Sequence, residues 1–237
     1  MRKRSDVTPH SASAPPARRG DVEAFLAEAR TRPPRAGGRR GRLVFALDAT
    51  MSRQPTWDLA CQLQAAMFDA AARAGGLEVQ LVYFRGQGEA RASGFVADAA
   101  ALKRLMTGIA CRGGLTQIGR VLEHAERTAA KAPVAALVYV GDAMEENVDR
   151  LCHHAGALGL RNTRAFMFHE GADPAAARAF REVARLTGGA YLPFDARAAG
   201  ELGALLAAVG AYAAGGRPAL EAAGTRASRQ LLADMRA

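Results

Sequence analysis

Leu43-Val44-Phe45-Ala46-Leu47-Asp48-Ala49-Thr50-Met51-Ser52 is an apolar run that stops at an aspartate, with hydroxyls two and four residues beyond it. A short run with no polar face suits a strand buried on both sides of a parallel sheet. A second such run, Val134–Val140, ends in Gly141-Asp142. Between the two, Gly113-Gly114-Leu115-Thr116 opens a segment with helical spacing. In an open parallel sheet the strand C-termini and the following helix N-termini line the ligand crevice. Asp48, Thr116 and Asp142 can therefore converge from distant positions.

Working outward, strand-like and helix-like segments alternate. Strands are expected at Leu43–Leu47, Leu77–Phe84, Ala90–Val96, Val134–Val140, Ala165–His169 and Ala190–Pro193. Helices are expected at Trp57–Ala74, Ala99–Ile109, Thr116–Lys131, Glu146–Leu158, Pro174–Thr187 and Arg197–Ala213. The spacer Arg85-Gly86-Gln87-Gly88-Glu89 is too short for a crossover helix, so Ala90–Val96 should return antiparallel, at an edge. The expected fold class is α/β: a doubly wound, mainly parallel six-stranded sheet with one antiparallel edge strand and helices on both faces. Trp57, Met67 and Phe68 read as core on a helix that packs against the sheet.

The formal charge of +9 does not belong to this pattern. Residues 1–42 carry 11 Lys and Arg against 4 acids, whereas residues 43–216 carry 17 of each. The excess sits in a Pro-, Ala- and Arg-rich arm over residues 1–41, expected to be disordered apart from a short helix at Asp21–Arg30. Such an arm can tether a domain to nucleic acid or an anionic membrane, but only Phe25 offers it a ring for base stacking. Residues 42–214 form the expected domain. Arg217–Ala237 follows as a last amphipathic segment carrying Leu220, Leu231, Leu232 and Met235 and interrupted by Gly224. It packs on the domain or awaits a partner.

Cys61, Cys111 and Cys152 are odd in number and far apart, which suggests neither a disulfide framework nor a zinc knuckle. No apolar run of about 18 residues occurs, so no membrane span is expected. The charged start has no apolar stretch behind it, and a cytoplasmic protein is the expectation.

Hydroxyls at alternate positions after an aspartate, with a remote Thr and a remote Asp, suit a hard cation held by oxygen alone. Thr50, Ser52 and Thr116 can ligate directly, and Asp48 and Asp142 supply negative charge. Mg²⁺ favours about six oxygens in octahedral array and keeps waters. Neutral ligands leave such an ion short of anions, so a carboxylate from another molecule can complete its shell. That is a binding mechanism with no catalytic base. Taken singly, Asp48, Ser52 and Thr116 could each be helix caps, and Asp142 a turn former.

Residues 42 to about 214 resemble a von Willebrand factor A domain with a metal-ion-dependent adhesion site. That family's pattern is Asp-x-Ser-x-Ser, a distant Thr and a distant Asp. Asp48, Ser52, Thr116 and Asp142 match it, and Thr50 replaces the first Ser with its hydroxyl kept. Ala143 stands where the family usually has Gly. The resemblance implies a Mg²⁺ or Mn²⁺ site at Asp48, Thr50, Ser52, Thr116 and Asp142. It implies a non-enzymatic module that binds an acidic residue of a protein partner, with no small-molecule substrate. Intracellular bacterial members often work beside AAA+ ATPases or in metal-insertion and stress systems.

A rival reading takes Asp48 and Gly141-Asp142-Ala143-Met144-Glu145-Glu146 as the acids of a haloacid-dehalogenase-type phosphatase, with Lys131 as its lysine. That family's general acid is a second Asp two residues after the nucleophile. Thr50 stands there, and a hydroxyl cannot protonate a leaving group as a carboxyl can. Gly113-Gly114 lacks the Gly-Lys-Ser/Thr ending of a phosphate loop. Cys152-His153-His154 places neighbours on different sides of a helix. His124 and His169 stand alone and read as structural or exposed.

Overall fold

A computed structural model describes residues 40–51, 54–195 and 199–235. The strands are β1 (Gly41–Asp48), β2 (Leu77–Arg85), β3 (Glu89–Val96), β4 (Ala136–Gly141), β5 (Arg164–Glu170) and β6 (Ala190–Phe194). They form one sheet in the order β3-β2-β1-β4-β5-β6. Every neighbouring pair is parallel except β2 and β3, which meet antiparallel across the tight turn at Gly86. β1 is buried from Leu43 to Asp48, and all of β4 is buried, which is why their sequences show no polar alternation. β3 lies at the edge and is largely exposed, so it tolerates Glu89, Arg91 and Ser93.

The pleat of β1 divides the core in two. Leu43, Phe45 and Leu47 pack with α1 (Gln54–Leu63), α2 (Ala65–Ala72), α3 (Ala99–Thr107), α7 (Ala199–Ala223) and α8 (Arg226–Asp234). Val44 and Ala46 pack with α4 (Ile118–Lys131), α5 (Val148–Leu160) and α6 (Pro174–Thr187). Fully buried side chains such as Phe45, Phe166 and Phe168 each stabilise the fold by about 1.5–3 kcal/mol relative to exposure. Trp57 and Met67 are core, as their spacing predicts.

Local chemistry sets the helix ends. Asp173 accepts from the amides of Ala175 and Ala176, Pro174 occupies the first turn of α6, and left-handed Gly188 closes it. Asp98 and Asn147 cap α3 and α5 in the same way.

Several boundaries differ from the sequence reading. The helix expected over Trp57–Ala74 is two, broken at Gln64, whose buried side chain donates to Ala99 O at 3.1 Å. The helix expected from Thr116 begins at Ile118, and the one expected from Glu146 begins at Val148. The C-terminal segment does not stand apart from residue 215. α7 continues through a kink at Gly216 (φ 67°, ψ −157°), with Pro218 just beyond it. α8 follows Gly224, and Leu220 and Leu231 are buried in the first core cluster. Residues 1–39 of the expected basic arm, including the helix at Asp21–Arg30, lie outside the described residues.

Candidate metal centre

The strand order reverses at β1. The chain runs outward through β2 to β3, then returns to pair β4 on the other side of β1. A doubly wound sheet opens its crevice at such a switch point, at the strand C-termini. Asp48 is the last residue of β1. Leu47 is in register with Val140, so Asp142 lies just past the neighbouring end of β4. Neighbouring strands are about 4.8 Å apart, which puts the two aspartates side by side in the sequence of strand ends.

The loop before α4 is drawn over the same edge by backbone bonds. The Arg112 amide donates to Ala49 O at 2.9 Å, and the Leu115 amide to Gly86 O at 3.2 Å. Gly114 makes this approach feasible, because a Cβ there would stand 2.3 Å from Gly86 N. The loop thereby carries Thr116 to the β4 side, where its hydroxyl donates to Glu145 Oε2 at 2.7 Å and its amide to the same oxygen at 3.2 Å. Asp48 and Thr50 are nearly buried, and the Thr50 amide donates to Asp48 Oδ1 at 2.7 Å.

The fold matches known structures. The VWA domain of SpRpn10 superposes with a TM-score of 0.53 at 12% identity, covering 66% of this chain and 89% of that one. An aerotolerance-related membrane protein from Bacteroides fragilis NCTC 9343 gives 0.52 at 17% identity, covering 69% and 94%. Proximal thread matrix protein 1 from the mussel byssus, with a zinc-occupied MIDAS motif, gives 0.54 at 15% identity, covering 71% of this chain and 45% of that one. The fold is that of a von Willebrand factor A domain. No family model matches the sequence, and no curated protein matches it. At these identities the likeness carries the VWA fold and leaves the site to the residues themselves.

On this VWA framework four of the five residues expected as ligands lie along one edge: Asp48 and Thr50 on the β1 loop, Thr116 on the loop before α4, and Asp142 after β4. Ser52 lies outside the described residues. Among the described residues no group of three or more His, Cys, Asp and Glu is placed to hold a metal. The donors on offer are two carboxylates and hydroxyls. All are oxygen, a set that suits a hard divalent cation and disfavours soft metals.

Two glutamates that the sequence offered only as acids of the rival phosphatase reading hold this arrangement. Thr116 does not cap α4: the cap position is Gln117, whose side chain makes no capping bond. The first amides of α4, Ile118 and Gly119, are instead taken by the Glu146 carboxylate, the second at 3.0 Å. Burial pushes the Glu146 carboxyl up, against the pull of those amides and of Arg150. Glu145 and Glu146 thus clamp the loop after β4 to the start of α4. The sequence marks them only as a tandem acid pair shortly after Asp142, with nothing to show which residues they hold.

His169, on β5, is buried and stands under the same loop. Its Nε2 lies 3.3 Å from Asp142 O and its Nδ1 2.8 Å from the Tyr191 hydroxyl. A carbonyl only accepts, so Nε2 carries the proton and Nδ1 accepts from Tyr191. His154 pairs with Glu126 at 2.9 Å, a contact between α5 and α4 away from the crevice.

Proposed function

We propose that this protein is a metal-dependent protein-interaction module that holds Mg²⁺ or Mn²⁺ at Asp48, Thr50, Ser52, Thr116 and Asp142 and captures an acidic side chain of its partner. The observation that carries this reading is the meeting of three remote segments at the switch point, each bringing an oxygen donor. When bound, the cation would supply a Lewis-acidic vacancy for a foreign carboxylate.

The chain's own groups prepare that role. The Thr116 hydroxyl donates to the Glu145 carboxylate and accepts from the Glu145 amide at 3.4 Å, which fixes the oxygen and leaves it one lone pair for a cation. The Thr50 amide fixes one oxygen of Asp48 and so orients the carboxylate. His169 secures the carbonyl of Asp142 without offering a base, since both ring nitrogens are engaged. The neighbour with a zinc-occupied MIDAS motif supports metal binding on this fold.

Catalysis of the dehalogenase type has less support. Lys131 closes α4, whose first turn lies at the crevice. At about 1.5 Å per residue the helix carries that ammonium about 20 Å away.

Calorimetric titration with Mg²⁺ and Mn²⁺ tests the proposal. Wild type is expected to bind one ion, and Asp48→Asn, which keeps an acceptor for the Thr50 amide, to lose binding while melting normally. Equal affinity in the variant would defeat the assignment.

A further inference from the structure

Beside Thr116 the structure has a polar pocket of about 180 Å³, lined by Gln117, Arg120, Glu146 and Arg150 with Leu115 at its mouth. It is smaller than the roughly 300–1,000 Å³ of small-molecule sites, and suits one side chain better than a free metabolite. Its two guanidinium groups come from different helices, Arg120 from α4 and Arg150 from α5. Neither forms an ion pair among the described residues, whereas Arg42, Arg85, Arg127, Arg185 and Arg217 each have a glutamate.

Arg120 is also held in place. Its Nη1 donates to Gly88 O and to Gln117 Oε1 at 3.1 Å, which leaves Nε and Nη2 without a bond among the described residues. A fixed, partly unused guanidinium loses little freedom when a carboxylate arrives. The pocket's one acid, Glu146, feels the charge of Arg150 but forms no ion pair with either arginine, its oxygens being taken by the Ile118 and Gly119 amides. That engagement also closes the helix terminus as an anion site. An incoming anion here must be read by arginine side chains.

We infer that this pocket receives a second carboxylate of the same partner, so that the recognised element is an extended acidic pair with one residue between. This rests on the proposed cation site, which takes the first carboxylate. Thr116 is the wall common to both places. Alternate side chains of an extended strand share a face and repeat every roughly 6.6 Å, a spacing short enough for one segment to reach both sides of a threonine. The crevice rim presents Met51 and Leu115, 63% and 59% exposed, to an apolar residue two positions before or after the pair, on the same face of the strand. The partner is thus a protein segment of the form acid–any residue–acid.

The probes are two fluorescein-labelled peptides, Gly-Gly-Glu-Leu-Glu-Gly-Gly and its Gly-Gly-Glu-Leu-Gln-Gly-Gly counterpart, followed by anisotropy in Mg²⁺ and in EDTA. Wild type in Mg²⁺ is expected to prefer the two-acid peptide by about tenfold, the sum of two modest charge contacts. Arg120→Gln combined with Arg150→Gln should bring that ratio to about one, with Mg²⁺ binding by the protein alone retained. A ratio near one in wild type, a ratio that survives in the double variant, or no binding of either peptide would overturn the pocket. An arginine-dependent ratio that persists unchanged in EDTA would support the pocket and remove the cation from the account. Mg²⁺ titration without peptide judges the cation site independently.

Discussion

The two ends of the sheet are built from the same strands and differ in what they do with polar groups. At the N-terminal end they are spent inside the protein. The buried Thr163 hydroxyl donates to Val134 O at 2.8 Å, Arg164 Nη1 to Thr187 O at 2.7 Å, and the Ala165 amide to Thr187 Oγ1 at 3.0 Å. Backbone segments there approach so closely that a Cβ on Gly189 would stand 1.9 Å from Ala165 O. The C-terminal end instead carries acids at or just past the strand ends: Asp48 on β1, Asp142, Glu145 and Glu146 after β4, and Glu170 on β5. The contrast pairs a closed, internally bonded end with the end where the cation site is proposed.

The largest expected effect lies at the closed end. Gly189→Ala forces a methyl into a backbone carbonyl, and nothing flexible can yield. Overpacking of this kind costs about 3 kcal/mol, read as a fall in the urea midpoint. Mg²⁺ should still raise the melting temperature of whatever fraction folds. A variant as stable as wild type would mean that the N-terminal end is not the rigid one.

Asp142→Asn should divide the ends the other way. With Mg²⁺ at about 100 times its dissociation constant, a bound ion stabilises wild type by about 2.7 kcal/mol. The variant should lose that gain and match wild type in EDTA. Equal Mg²⁺-induced shifts in both proteins would remove Asp142 from the site.

Next comes Glu145→Gln, which keeps an acceptor for Thr116 and removes the charge. Groups that orient a ligand from behind are worth about 10–100-fold in metal affinity. A loss in that range with an unchanged melting curve in EDTA is expected. An unchanged affinity would make the glutamate a structural tether only.

The closed end and the strand pattern were legible because parallel strands buried on both faces must be apolar throughout, as Val44–Leu47 and Leu137–Val140 are. The positions of Asp48 and Asp142 followed from strand ends, and the antiparallel β3 from the short turn before it. The glutamate clamp was not legible. Glu145 and Glu146 bond to residues 27 to 29 positions away, and acids in a loop carry no periodic signal. The break at Gln64 was equally hidden. Gln64 keeps helical angles (φ −59°, ψ −25°) with no Gly or Pro beside it, and what marks it is its bond to the start of α3. At Gly216 the breakers were visible, yet α7 resumes beyond them because Leu220 has an apolar pocket to fill.

The smallest expected effect is the sharpest probe of how the open end works. Thr50→Ser keeps the hydroxyl proposed as a ligand and the amide that holds Asp48 Oδ1. It removes one methyl from a residue only 8% exposed, which costs about 1 kcal/mol of stability. Mg²⁺ affinity should therefore stay within about twofold of wild type, since the donor atom is the same. A β-branched residue is stiffer at χ1 than serine, so the methyl also limits the directions the hydroxyl can take. If calorimetry showed a tenfold weaker ion with stability intact, the loss would report that preorganisation alone. The threonine would then be part of the device that holds the loop open for a ligand, and the open end would owe its chemistry to rigidity as much as the closed end does.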